Sequence, residues 1–252
     1  MPEIPITERV ALLTGSEGWF GRAPREFQKA ILARCEWIMC SAGQPVYQTA
    51  DERADLLAVV DGTVEIYSRF GIGDNPLLHL AHEGFWAGYG SVIAGEAPRA
   101  TIIARVDTLL ARVPRRTMHE LLSARPEWWR VMSTAAMEYG DIAIAAVADL
   151  LIQDNVRRCA CTVLRITGLR PPRRARPDRR DAMVTQGELA AMVNLSRTTL
   201  VQILHQFERG GLIEQGYREL RIVDPVALTA LALGHPARSP AVSAVHGRPG
   251  SG

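Results

Sequence analysis

Residues 185–220 read TQGELAAMVNLSRTTLVQILHQFERGGLIEQGYREL, and the fold is decided there. Thr185 and Glu188, three apart, form an S/T-x-x-E capping box that marks a helix start. Leu189, Met192 and Val193 then recur at helical spacing. Asn194-Leu195 is a tight break, and Ser196 opens a second helix whose apolar face is Leu200, Ile203, Leu204 and Phe207. Gly210-Gly211 stops that helix. Leu212-Ile213 and Leu220–Val223 alternate like two short strands around a turn at Gly216. Two capped helices, a turn and a β-ribbon in this order predict a winged helix-turn-helix. Such a unit presents the N-terminal part of its second helix to the DNA major groove. The candidate DNA-contacting residues are Ser196, Arg197, Thr198, Thr199 and Gln202, with Thr185 and Gln186 at the start of the first helix. Arg197 is suited to bidentate bonding of a guanine and Gln202 to an adenine. Thr185, Gln186, Ser196 and Thr199 are better placed for phosphates, and Ser196 also reads as a plain helix cap.

The charge distribution agrees with that reading. Residues 1–150 carry 14 basic and 19 acidic side chains, whereas residues 151–252 carry 15 basic and 8 acidic. A basic C-terminal part joined to an acidic N-terminal part implies that only the former meets a polyanion. The segment RPPRRARPDRRD, Arg170–Asp181, places six arginines in a stretch whose prolines forbid a helix. It reads either as a solvated linker or as a loop lying near DNA phosphates. The apolar fraction of 47% is ample for packed cores. The longest apolar run, Ile142–Ile152, contains Asp149 and is too short to span a bilayer. The first residues lack a signal-peptide pattern. A cytoplasmic protein with no membrane partner is therefore expected.

Working outward from the C-terminal unit, residues 8–40 look helical. Short runs rich in Val, Ile and Leu follow at 45–48, 56–60, 64–68, 77–80, 100–106 and 108–113 and predict a small sandwich or barrel. Asp61-Gly62 is the clearest hairpin turn in the chain. A short helix near 115–124 and a long one from Pro126 to Asp154 come next, then another over Asp154–Leu169. The long helix carries Trp128, Val131, Met132, Ala135, Met137, Ile142, Ile144, Val147, Leu150 and Leu151, apolar on more than one face. A helix sticky on two sides packs on its own domain and, most simply, on its copy in a second subunit. The candidate dimer contacts are Ile142, Ile144, Val147 and Leu151. Expected domain boundaries are 1–125, 126–154 and 155–233, followed by a disordered, Gly/Pro/Ser-rich tail over 234–252.

A β-rich N-terminal domain, a long connecting helix and a C-terminal winged helix, in that order, resemble the CRP/FNR family of bacterial transcription regulators. The likeness rests on SRTTLVQIL (196–204) and LIEQGYRELRIVD (212–224) at the DNA-binding end. It rests also on AVVDGTVEIYSRF (58–70) and GFWAGYGSVIAGEAPRATIIARVDTLLARVPR (84–115) in the sensor end. It implies an α+β fold: an N-terminal β-roll or jelly-roll sensor domain, a long dimerisation helix and a winged helix-turn-helix. It further implies a homodimer on a pseudo-palindromic DNA site, with RNA polymerase as a protein partner.

The departures from the family pattern matter as much. Cyclic-AMP-binding members supply a Gly-Glu pair for the ribose and an Arg-Ser pair for the phosphate; here these positions are Gly88-Tyr89 and Arg99-Ala100, with Thr101 beside them. Ala143 and Ile144 stand on the long helix where base-reading hydroxyls are expected. Each unpaired polar atom of a ligand would cost on the order of 1–3 kcal/mol, so control by cyclic AMP is not expected and the effector is unknown. Thr198 and Gln202 likewise replace a common glutamate and arginine, so the preferred half-site should differ from the best-known consensus. A regulator responding to a cyclic nucleotide or redox signal, and a sensor acting through protein partners, are the alternatives.

Other chemistry finds little support. Cys35 and Cys40 could form a redox switch, although free thiols are the simpler reading; Cys159 and Cys161, two apart on a helix, point in different directions. His79 and His82 face opposite sides of a strand and cannot share a metal well; ligation of a haem by one of them is the alternative. Trp128-Trp129 reads as packing. No serine–histidine–aspartate set, P-loop or paired carboxylates appear. No enzyme activity, metal or cofactor is expected.

Overall fold

The computed structural model describes residues 4–48, 51, 54–68, 75–170 and 178–235. It begins with helices α1 (Ile6–Thr14) and α2 (Arg25–Leu32). Eight strands follow: β1 (Glu36–Cys40), β2 (Pro45–Tyr47), β3 (Leu56–Asp61), β4 (Val64–Ser68), β5 (Leu77–Ala81), β6 (Trp86–Ala87), β7 (Ala100–Ala104) and β8 (Thr108–Val113). A short helix α3 (Tyr89–Ala94) lies between β6 and β7. The strands form two antiparallel sheets, ordered β1-β8-β3-β6 and β2-β7-β4-β5. Strand β3 is buried along its whole length. Its Leu56, Ala58 and Val60 face a helical layer, while Val59, with Leu110 of β8, faces Val64, Ala81, Ile102 and Ala104 of the second sheet.

Two expectations need correcting. Residues 8–40 are not continuously helical: Gly15, Gly18, Gly21 and Pro24 separate α1 from α2, and Glu36–Cys40 pairs in register with β8. Asp61-Gly62 is not a hairpin turn. Strand β3 bonds to β8 and β6, whereas β4 bonds to β5 and β7, so the chain crosses there from one sheet to the other. Gly62 has φ +111°, and a Cβ on it would lie 2.7 Å from the Thr108 hydroxyl. The corner therefore requires glycine.

Helix α4 (Arg115–Ala124) leads into α5 (Trp128–Leu150). Along α5, Trp128, Met132, Ala135 and Tyr139 are buried, and Ile142 continues that stripe against the sensor core. Trp128 meets Phe27 edge-on at 5.3 Å, so it packs as expected. By length and composition alone α5 could cross a membrane, although its longest apolar run is too short to do so. One stripe of α5 packs on the sensor core and Asp149 bonds to Arg165 and Arg170, while its opposite face is exposed.

The chain breaks at Leu151 and resumes as α6 (Asn155–Ile166), with Asp154 accepting from the amides of Val156 and Arg157 as N-cap. Strand β9 (Asp181–Ala182), helices α7 (Gln186–Met192) and α8 (Arg197–Arg209), strands β10 (Ile213–Gly216) and β11 (Glu219–Ile222), and α9 (Pro225–Ala232) complete the C-terminal domain. Its core gathers Cys159, Val163, Leu189, Leu200, Leu204, Phe207, Leu220 and Leu228, and it takes in Leu80 of β5 from the sensor domain. Helix α9 and strands β6 and β9 had no clear signal in the sequence. Most of the expected C-terminal tail, from residue 236, lies outside the described residues.

Candidate nucleic-acid interface and sensor cassette

The capping box forms as the spacing predicts. The Thr185 hydroxyl accepts from the Glu188 amide at 3.2 Å, and the Glu188 carboxylate accepts from the Thr185 amide at 2.7 Å. Asn194 takes the left-handed conformation, φ +51°, that the tight turn between α7 and α8 demands. Ser196 caps α8 by accepting from the Thr199 amide at 3.1 Å, and its hydroxyl lies 2.8 Å from that of Thr199. Leu200, Ile203, Leu204 and Phe207 are buried beneath. This orientation leaves Ser196, Arg197, Thr198 and Gln202 exposed and Thr199 half-buried. Thr198, Gln202 and His205, at i, i+4 and i+7, share one face of the helix. The free amides of its first turn and its positive dipole end add an electrostatic attraction for phosphate.

Thr185 and Gln186 are half-buried at the start of α7. The Thr185 hydroxyl and amide are both engaged by Glu188. The Gln186 amide donates to Gln215 on the wing at 3.3 Å, and Gln215 in turn donates to Glu208 of α8. That chain ties the ribbon to both helices. The sequence reading missed the tip of the ribbon. Tyr217 is 92% exposed there, beside Arg218 at φ +56°, and Arg221, three residues on in β11, is exposed as well. An aromatic and two guanidinium groups projecting from a hairpin beside a recognition helix are suited to a sugar–phosphate backbone. The small hairpin was legible in the chain; the projection of these side chains from its tip was not.

At the two ends of the arginine-rich segment, Arg170 and Arg179 are engaged within the protein. Arg170 donates to both oxygens of Asp149 at 2.6 and 2.8 Å, and Arg179 pairs with Glu83 at 2.7 Å and Asp61 at 2.9 Å. Residues 171–177 lie outside the described residues.

In the sensor domain, Gly88 caps α3 at φ +84°, and a Cβ there would meet the Asp55 carbonyl oxygen at 1.9 Å. The next residue, Tyr89, stacks on Tyr139 of α5 at 4.9 Å. Burial raises the Tyr89 phenol above its ordinary range, with Arg99 opposing. Tyr47 of β2 is bonded to the backbone of Gly88, and burial pushes its phenol upward as well. Two phenols, both shifted upward by burial, thus lie beside Gly88. Arg99 is 66% exposed and pairs with Glu96 at 2.8 Å. Ala100 and Thr101, both half-buried, open β7 opposite Ser68 and Tyr67. The candidate residues are therefore adjacent in the fold, but Arg99 is spent on a surface carboxylate and Ala100 contributes no polar atom. Ala143 and Ile144 are exposed on α5, whereas Tyr139 of the same helix stacks on Tyr89.

On the outer face of α5, Ile144 and Val147 are 68% and 58% exposed, and Leu151 just beyond is 71% exposed. Ile142, grouped with them from sequence, packs inward. His82 is held between the Thr63 hydroxyl at 3.0 Å and the Ile166 carbonyl oxygen at 2.6 Å. Burial, with Arg165 and His82 adding to it, keeps His79 well below the usual imidazole range. Burial likewise raises the thiols of Cys35, Cys40 and Cys161 and takes Cys159 to about 12, which disfavours the reactive thiolate.

Two family models match the chain: a cyclic nucleotide-binding domain over residues 38–125 and a Crp-like helix-turn-helix domain over residues 157–231. The chain is 23% identical over 198 residues to the fumarate and nitrate reduction regulatory protein of Escherichia coli K12, covering 77% of this chain and 76% of that one. Among solved structures, it resembles a putative cAMP-binding regulatory protein from Silicibacter pomeroyi (TM-score 0.64, 14% identity, 90% of this chain and 99% of that one). It also resembles FixK2 from Bradyrhizobium japonicum (TM-score 0.64, 16% identity, 78% and 96%). At these identities the structures speak to the fold alone.

Proposed function

Because this chain belongs to the CRP/FNR family of transcription regulators, we propose that it acts as a homodimer that reads a pseudo-palindromic DNA site without needing cyclic AMP. The family is one of helix-turn-helix DNA-binding regulators rather than of enzymes. The observation that carries the finer reading is the open N-terminal face of α8, where the Ser196 cap holds Arg197, Thr198 and Gln202 out of the domain core. Arg197 donates two hydrogen bonds to O6 and N7 of a guanine, and Gln202 reads an adenine. The first turns of α7 and α8 and the wing tip meet phosphates. Two such heads, related by a two-fold axis along α5, match half-sites centred about 34–36 Å apart. Binding in the cytoplasm beside a promoter brings RNA polymerase within reach as the protein partner. The phenols at Tyr47 and Tyr89 and the exposed ion pair of Arg99 support a cassette that does not take cyclic AMP.

The test is selection of duplexes from a randomised library by the full-length protein, then repetition with Arg197→Ala. The wild type is expected to select an inverted repeat. The variant should lose about 1–3 kcal/mol and its preference at one base pair per half-site. An unchanged base profile in the variant would remove Arg197 from the reading set. No selection by the wild type at low salt would favour a sensor that signals through proteins.

A further inference from the structure

The junction between the sensor domain and the DNA-binding domain is lined with charge. Arg105, just past the end of β7, is only 9% exposed at its side chain. Its guanidinium donates to both oxygens of Glu188 at 2.8 Å each and also pairs with Glu65 of β4. The Tyr67 hydroxyl donates to Glu65 from the same strand at 2.9 Å. The carboxylate that Arg105 grips is the one that caps α7, so one side chain belongs both to the helix-turn-helix and to the junction. Burial alone would lower the guanidinium's proton affinity; its bonds to Glu188 and Glu65 more than reverse this and raise it. Burial similarly pushes Glu188 up, but Arg105 and Thr185 bring it below its ordinary range. Both groups are therefore charged near neutrality.

Three further contacts run along the same junction. His82 meets the Ile166 carbonyl oxygen at the end of α6. Arg165 of α6 reaches Asp149 on α5 and the Leu78 carbonyl oxygen on β5, both at 3.3 Å. Arg179, just before β9, pairs with Glu83 and Asp61. Each ties the sensor domain or α5 to the DNA-binding domain. None uses α8, whose Arg197, Thr198 and Gln202 stay exposed. A contact that held the domain in a non-binding pose by covering its reading face would be built the other way round.

Buried ion pairs are weak net stabilisers because desolvation offsets their attraction, but they tolerate little displacement once formed. Apolar surfaces can slide; a two-pronged guanidinium–carboxylate pair has one register. A head whose position is fixed before DNA arrives loses less orientational freedom on binding. We propose that Arg105 is a positioning residue for DNA recognition, which by gripping Glu188 presets each reading head relative to the dimer helix without a ligand. The inference rests on the DNA-binding reading above and adds to it a residue of the sensor domain, 83 positions away from its partner.

The test uses the full chain and a duplex selected by the wild type from a randomised library. Glu188→Gln is the informative variant, because glutamine at this position still completes a capping box while losing the charge that Arg105 needs. Arg105→Gln removes the other partner, and Arg105→Lys keeps a charge without the planar fork. Both glutamine variants are expected to bind the duplex about tenfold more weakly, a typical coupling between sites, with Arg105→Lys recovering part of the loss. Calorimetry should show the unfolding of the two domains separating in the variants where it coincides in the wild type. Should Arg105→Gln fail to fold, Glu188→Gln decides alone. Affinity that is unchanged, or tighter, in the folded variants would overturn the inference while leaving the regulator reading intact. A wild type that selects no duplex would overturn both.

Discussion

At Tyr139 a single phenolic oxygen accepts from the Trp19 indole at 3.3 Å and from the Trp86 backbone amide at 2.7 Å, both donors buried. The same ring stacks on Tyr89, so the residue that closes the aromatic core also fills the space beside the cassette. Tyr139→Phe keeps the ring and removes the acceptor. It leaves two buried donors unsatisfied and should cost on the order of 1–3 kcal/mol, read as a lowered thermal midpoint with retained DNA binding. A melting curve matching the wild type would mean that water replaces the phenol. Nothing in the sequence marks Tyr139, because its partners lie 120 and 53 positions away. Arg105 was invisible for the same reason. Thr185 with Glu188, and Ser196 with Thr199, were legible because each pair closes within three residues and helix capping has a local grammar. The Asp154 cap fits the same rule. Legibility at this scale follows the sequence distance over which the hydrogen bond forms.

Helix α5 repeats the lesson with periodicity. Trp128, Met132, Ala135, Tyr139 and Ile142 step by four and three and turn inward. Met137, Gly140, Ile144, Val147 and Leu151 step by three and four on the other side, and the large members of that stripe are 58–71% exposed. Two interleaved stripes explain why the sequence showed apolar residues on more than one face, and why Ile142 could not be assigned to the right one before its neighbours were known. The outer stripe has the spacing of a coiled-coil seam, and Gly140 has open space around it into which a second helix can approach. Val147→Asp places a charge in the middle of that seam. The variant should sediment as a monomer at concentrations where the wild type is a dimer, and should lose affinity for an inverted repeat more than for a single half-site. A variant that remains dimeric would move the interface elsewhere. The β-corner at Asp61-Gly62 failed differently. A Gly-containing turn between two alternating strands reads the same whether the chain folds back within one sheet or crosses to the facing one. The choice is made by long-range pairing with β8 and β7.

At the scale of the whole molecule, an acidic sensor half and a basic reading half are joined through a junction whose charges are already matched. A ligand can shift such an arrangement only by binding one state better than another. On the function proposed above, cyclic AMP has little with which to do so here. In that proposal Tyr89 stands in place of a ribose carboxylate and Ala100 in place of a phosphate hydroxyl, while Arg99 pairs with Glu96 at the surface. Titrating a fluorescent duplex with the full-length protein, with and without saturating cyclic AMP, should therefore give the same midpoint. Equal affinity for two states shifts nothing, however much ligand is present. A midpoint that moves by about tenfold, a typical allosteric coupling, would show that the phenols of Tyr47 and Tyr89 can rearrange to receive the nucleotide. The titration would then be repeated with Tyr89→Phe. A phenol that bonds the nucleotide would lose the shift on losing its hydroxyl; a ring that merely stacks on Tyr139 would leave the shift in place. In the expected case, with no shift to explain, control passes to whatever disturbs the junction itself. Salt is the simplest such agent, because it screens phosphate contacts and reaches Arg170 and Arg179, each about a third exposed, more readily than Arg105, whose side chain is 9% exposed.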